Sequence, residues 1–198
     1  QLDLEGTEEV LDACAAPGGK STHMAQYLTS GHITALDLYD HKLDLINQNA
    51  ERQHVADKIT TQKADATMIF EEFGSDKFDR ILVDAPCSGI GLIRRKPDIR
   101  YRKESSDFVD LQKIQLEILN SASKSLKKSG IMVYSTCTIF DEENFDVVRQ
   151  FLESHPNFEQ VEISSDKADM IKEGCIFITP EMYHTDGFFI AKFKKIGE

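Results

Sequence analysis

The chain has 198 residues, 40% of them apolar and 29% charged, and a formal net charge of −11 from 34 acidic and 23 basic side chains. That is one ordinary domain with enough apolar surface to bury a core, which excludes a disordered or fibrous chain. No apolar run approaches the roughly 18 residues of a membrane span, and the acidic balance works against indiscriminate nucleic-acid binding without excluding a local basic patch.

The first residue is Gln1, not Met, and no charged-then-apolar leader follows it. The expectation is a cytoplasmic piece of a longer protein. Cys14, Cys87, Cys137 and Cys175 are widely spaced with no CxxC pair. Such spacing argues against a zinc ribbon and against a dense disulfide framework. His23, His54 and His184 have no metal-ligand spacing, so no metal is expected.

Strand and helix signals alternate along the chain. Residues 9–13 (EVLDA) form a short apolar strand running into Pro17-Gly18-Gly19, and 20–28 reads as a helix. A second strand spans 32–37 (HITALD), with a helix over 42–53. A third, 59–62, ends near Asp65, and a fourth, 80–84 (RILVD), runs into Ala85-Pro86-Cys87. The stretch 108–126 is an amphipathic helix with Leu111, Ile114, Ile118 and Leu119 at helical spacing, stopped by Gly130. A fifth strand, 131–135 (IMVYS), leads to Thr136-Cys137. Residues 141–152 are helical with Asp141 as N-cap, and 158–163 and 188–193 are two more strands.

This alternation predicts an α/β fold, a seven-stranded, mostly parallel sheet with helices on both faces. Ligands in such folds sit at the carboxyl ends of the strands. The unusual residues fall there: Cys14 to Lys20, Asp37, Asp65, Asp84 to Cys87, and Cys137.

The loop Cys14-Ala15-Ala16-Pro17-Gly18-Gly19-Lys20 is a tight strand-to-helix turn of the kind that brings backbone close to a ligand and offers a helix N-terminus to an anion. Gly19-Lys20-Ser21 matches the end of a nucleotide P-loop, and ILVD at 81–84 resembles a strand ending in a metal-binding Asp. The first P-loop glycine, however, falls on Cys14, and GxGxxG is absent. S-adenosylmethionine fits better. Its carboxylate suits the helix N-terminus, and Asp37 suits its ribose diol, since a carboxylate accepts two hydroxyl donors.

Asp84-Ala-Pro-Cys87 and Ser135-Thr-Cys137 end neighbouring strands, so both thiols and Asp84 should face one pocket. A lone cysteine after a strand is usually a small buried hydrophobe; two beside an Asp and a cofactor loop point to chemistry. A thiolate beside a methyl donor suggests methylation at C5 of a pyrimidine. Addition to C6 turns the ring into an enamine whose C5 can take a methyl, and an acid at Asp84 can serve N3.

These residues resemble the Sun (RsmB-like) family of RNA cytosine-5 methyltransferases. The matching pieces are VLDACAAPGGKSTH (10–23), ALD (35–37), KADA (63–66), ILVDAPCSGIGLIRRKPDIRY (81–101), YSTCTIFDEEN (134–144) and HTDGFFIAKF (184–193). The resemblance implies a Rossmann-like class I methyltransferase catalytic domain over 1–198, without the N-terminal RNA-binding regions of a full-length protein. It implies that Cys14, Ala15, Ala16, Pro17, Gly18, Gly19, Lys20, Asp37, Asp65 and Asp84 bind S-adenosylmethionine. It also implies that Cys137 is the nucleophile and that Cys87 assists product release. The expected substrate is small-subunit ribosomal RNA, and the expected state is a monomer. A P-loop-like nucleotide hydrolase and a non-catalytic cofactor- or RNA-binding module are the alternatives.

Between 90 and 103 lie Arg94, Arg95, Lys96, Arg100, Arg102 and Lys103 against one acid, Asp98. In an acidic chain, such a run directly after Asp84–Cys87 points to RNA phosphate contact, with Tyr101 able to stack on a base.

Overall fold

A computed structural model describes residues 1–101 and 105–197. Its strands are β1 (Glu9–Asp12), β2 (His32–Asp37), β3 (Ile59–Lys63), β4 (Phe78–Asp84), β5 (Leu126–Thr136), β6 (Phe158–Gln160), β7 (Ile171–Lys172), β8 (Cys175–Ile178) and β9 (Phe188–Lys195). The helices are α1 (Gly19–Ala25), α2 (Asp40–Arg52), α3 (Ile69–Phe73), α4 (Ser105–Ser125), α5 (Phe145–Ser154) and α6 (Pro180–Tyr183). One sheet contains all the strands in the order β3-β2-β1-β4-β5-β9-β8-β7, with β6 on the flank of β9. The first five run parallel, and β9 returns antiparallel to β5. No helix among the described residues is long and apolar enough to cross a membrane.

The near-continuous apolar runs of the central strands are what a sheet covered on both faces requires. The pleat sorts them. Leu11, Ile81, Val83, Met132 and Tyr134 join one core with Ile118, Leu119, Phe145 and Phe151. Val10, Ile33, Leu82, Ile131 and Val133 join a second core with Met24, Leu28, Ile46 and Ala50. Both faces of the sheet are therefore buried, and the carboxyl ends of β1, β2, β4 and β5 open at one edge.

Three expectations need correction. The sheet has nine strands among the described residues, not seven. The segment after α5 pairs with β9 only over Phe158–Gln160, beside Phe193–Lys195. The β7–β8 hairpin then takes the rest of that edge, opposite Phe188–Ile190. Its turn is Glu173-Gly174, both at positive φ (51° and 75°), the backbone a two-residue hairpin needs. Second, Gly130 does not stop α4. The helix ends at Ser125 and the chain enters β5 at Leu126, with Ser129 at φ 64° and a register shift opposite Phe78/Arg80. Third, Asp141 does not cap a helix. It opens a 3-10 turn, Asp141–Glu143, and α5 begins only at Phe145.

Candidate active site

The loop after β1 remains stitched to both neighbouring strands. Ala13 donates its N–H to the Leu82 carbonyl at 2.9 Å, and Ala15 to the Leu36 carbonyl at 2.8 Å. Asn49 Nδ2 holds the Pro17 carbonyl at 2.6 Å. Gly18 sits at φ 99°, and a Cβ there would lie 3.0 Å from Ile46 Cα, so both conformation and space demand glycine. Gly19 faces open space instead: a Cβ on it would meet nothing within 4 Å.

Ala15, Ala16, Pro17, Gly19 and Lys20 line a cavity of about 170 Å³ together with Asp12, Cys14 and Asp84. Asp12 is fully buried. Its Oδ2 accepts from Ser21 Oγ at 2.6 Å, while Oδ1 has no hydrogen-bond partner. Burial pushes its carboxyl up to about 7, against the opposing hydrogen bond from Ser21.

A second cavity of about 340 Å³ brings Cys14, Asp37, Asp65, Asp84, Cys87 and Cys137 together. Its rim carries two exposed apolar side chains, Leu38 and Ile114. Asp37 is buried at the end of β2, with its Oδ1 accepting from Tyr39 N–H at 3.3 Å and 3.5 Å from Lys42 Nζ. Asp65 caps the turn after β3, accepting from Thr67 N–H at 2.9 Å and Thr67 Oγ1 at 2.8 Å. Of the expected loop residues, Gly18 alone lines neither cavity; it packs on α2.

Asp84 belongs to both cavities. Ser135 Oγ donates to its Oδ1 at 2.7 Å, and Lys20 Nζ lies 2.7 Å from its Oδ2. Lys20 also stands 5.4 Å from the centre of the Phe188 ring. Beyond Asp84, Cys87 Sγ lies 3.2 Å from Cys137 Sγ, and the Cys137 N–H points to Cys87 Sγ at 3.4 Å. Both thiols are free. Their surroundings pull them apart. The hydrogen bond to Cys137 and burial hold the Cys87 thiol well above its ordinary value, and Glu143 adds to this. The Cys137 thiol is held below its ordinary value by that same hydrogen bond, with Lys20 helping against burial and Asp84.

The remaining cysteines are different. Cys14 packs beside the core, and its thiol is pushed far up by burial and by Asp12, Asp84 and Asp37. Cys175, open in sequence to a structural or an exposed reading, is fully buried, with its thiol pushed up to about 12 by burial.

The basic segment is anchored at its root. Gly91 donates to the Cys137 carbonyl at 3.0 Å and accepts from Gly187 N–H at 2.8 Å. A Cβ on Gly91 would lie 2.4 Å from the Gly187 carbonyl oxygen. Arg94 Nη1 reaches the Thr185 carbonyl at 3.5 Å, Arg95 pairs with Asp186 at 2.5 Å, and Lys96 is exposed. Arg102 and Lys103 lie outside the described residues, as do the side chains of Arg100 and Tyr101.

Sequence reasoning missed Asp12, Ser135, Gln115 and Glu143. Asp12 carried a readable signal, a strand-final acid before a glycine turn. Glu143 carried none, since Asp141 and Glu142 beside it are the same chemical type.

The family described as 16S rRNA methyltransferase RsmB/F matches residues 1–194. The chain is 45% identical over 203 residues to the probable ribosomal RNA small subunit methyltransferase B of Bacillus subtilis, covering 99% of this chain and 45% of that protein. It is 36% identical over 199 residues to the corresponding protein of Yersinia enterocolitica, covering 98% and 44%. The chain thus spans a little under half the length of these relatives. Among solved structures, it is similar to NSun6 from Pyrococcus horikoshii with SFG, at 31% identity and a TM-score of 0.84 over 96% of this chain and 48% of that one. It is also similar to a methyltransferase homolog protein from the same organism, at 31% identity and a TM-score of 0.82, over 98% and 63%.

Proposed function

Because the chain belongs to the RsmB/F family of 16S rRNA methyltransferases, we propose that it is the catalytic domain of an enzyme methylating C5 of a cytosine in small-subunit ribosomal RNA. The observation that carries this reading is the thiol pair, 3.2 Å apart, lining the same cavity as Asp37, Asp65 and Asp84.

The residues fit S-adenosylmethionine. The unpaired, buried Asp12 Oδ1 offers an acceptor for a cation, and the open face of Gly19 leaves room beside it. Asp37 offers a buried carboxylate for a diol, and Leu38, Ile114 and Ile118 offer apolar cover for a flat base. When bound there, S-adenosylmethionine supplies an electrophilic methyl group beside the cysteines.

The chain's own residues do the rest. Cys137, the more acidic thiol, adds as thiolate to C6, and the ring electrons move to C5. Asp84, held by Ser135 and Lys20, acts as the acid that gives N3 a proton and so neutralises the negative charge that addition places on the ring. Once C5 carries its methyl, water takes the C5 proton, the C5–C6 double bond re-forms, N3 gives its proton back to Asp84, and Cys137 leaves as thiolate. Cys87 is placed to protonate the leaving sulfur or pass a proton at that stage. Arg94, Arg95, Lys96, Arg100 and Arg102 follow the cysteine loop and supply phosphate contacts.

The test is covalent trapping with ribosomal RNA on denaturing gels. Cys87→Ala should accumulate a protein–RNA adduct, Cys137→Ala should form none, and the double variant should form none. An adduct in Cys137→Ala and none in Cys87→Ala would reverse the two roles.

A further inference from the structure

Behind the thiols lies a buried polar network that the chemistry above does not use. Glu143 is fully buried, and its Oε2 accepts from Ser88 N–H at 2.8 Å and Gln115 Nε2 at 3.1 Å. Gln115, also fully buried, donates from the same nitrogen to the Pro86 carbonyl at 2.9 Å. Tyr134 donates its hydroxyl to the Glu143 carbonyl at 2.7 Å. The segment Pro86-Cys87-Ser88 is therefore gripped on both sides of Cys87, and neither Glu143 nor Gln115 lines either cavity.

The choice of side chain at 143 is the informative point. Both contacts to Oε2 come from N–H donors, which a glutamine carbonyl would accept equally well. Glu143 Oε1 has no partner, and no cation pairs with the residue among the described residues. Burying a carboxylate without a cation is costly. Its return is a negative field on the Cys87 side of the pair. Glu143 holds the N–H of Ser88, the residue next to Cys87, whereas Cys137 follows Ser135, whose hydroxyl holds Asp84 beside the Lys20 ammonium; the two sulfurs lie 3.2 Å apart between these groups.

We propose that Glu143 is a positioning residue that decides which of the two thiols keeps their shared proton. When the pair loses one proton to solvent, the remaining one stays on Cys87, and Cys137 is left as the thiolate. The inference rests on the two-thiol chemistry above, but its test needs neither RNA nor cofactor, so the two can fail separately.

The test is brief haloacetamide labelling of the intact protein near neutral pH, with the Cys137:Cys87 ratio read by peptide mapping. Glu143→Gln keeps an acceptor for both N–H groups and removes the charge; Glu143→Asp keeps the charge. The ratio should fall about fivefold or more in Glu143→Gln, since each pH unit of relative acidity is a factor of ten. In Glu143→Asp it should stay within about twofold of the parent. A parent ratio retained in Glu143→Gln overturns the assignment. So does its loss in Glu143→Asp, because a variant that keeps the charge must keep the preference; that arm decides the matter alone should Glu143→Gln fail to fold.

Discussion

Asp84 and Ser135 are paired across β4 and β5 in parallel register, and Ser135 Oγ donates to Asp84 Oδ1 at 2.7 Å. That single register position aligns the two strand ends, so the cysteines three and two residues further on meet side by side. Lys20, from the first turn of α1, closes the arrangement at the other oxygen of Asp84 at 2.7 Å.

Lys20→Met removes an ammonium that favours the Cys137 thiolate. The pH midpoint for alkylation of Cys137 should move upward by up to about one pH unit, because Lys20 is partly solvated and its field is screened. A midpoint that stays put would show that Lys20 does not tune Cys137.

Asp37→Ala should weaken S-adenosylmethionine by roughly 1–3 kcal/mol, the cost of leaving buried polar partners unmatched. Calorimetry reads this directly. An unchanged dissociation constant would remove Asp37 from the cofactor site.

Asp12 makes stability depend on pH in an unusual direction for a carboxylate. Its folded value, about 7, lies above the unfolded one, so the folded state holds the proton more tightly. The stability this adds is fully present below about pH 4 and is lost as pH rises towards about 7. Each tenfold difference in proton affinity between the folded and unfolded chain is worth about 1.4 kcal/mol. Denaturant unfolding at about pH 5 and about pH 7.5 should therefore show a smaller decline in Asp12→Asn than in the parent. Equal declines would mean that Asp12 is ionised in the fold.

RNA binding should weaken with salt, and neutralising Arg94, Arg95 and Lys96 together should flatten the logarithmic salt slope by about 2, at a little under one per phosphate contact. The structure ranks the three. Arg95 is already paired with Asp186, so Arg95→Ala should change the slope less than Lys96→Ala. A triple variant with the parent's slope would make the segment a solvated loop.

Much of this was legible because a parallel sheet buried on both faces leaves plain traces. RILVD and IMVYS are too apolar to be anything but interior strands, and the polar residues that end them must sit at the sheet's open edge. Asp37, Asp84, Cys87 and Cys137 were found by that logic. The short pieces escaped it. IFEEF at 69–73 is one helical turn and a half, and Ile171–Lys172 is two residues long, so neither displays a period. Glu143 escaped for another reason: which acid of Asp141, Glu142 and Glu143 points inward depends on the phase of a single 3-10 turn, and that phase is fixed by the Tyr134 and Ser88 contacts from distant segments.

The backbone knot at Gly91 also decides where this architecture can be edited. The carbonyl it grips belongs to Cys137 itself, and Gly187 closes it from the opposite side. An insertion between Ser88 and Gly91 would drag the reactive sulfur with it, so the root of the basic arm and the chemistry behave as one rigid casting.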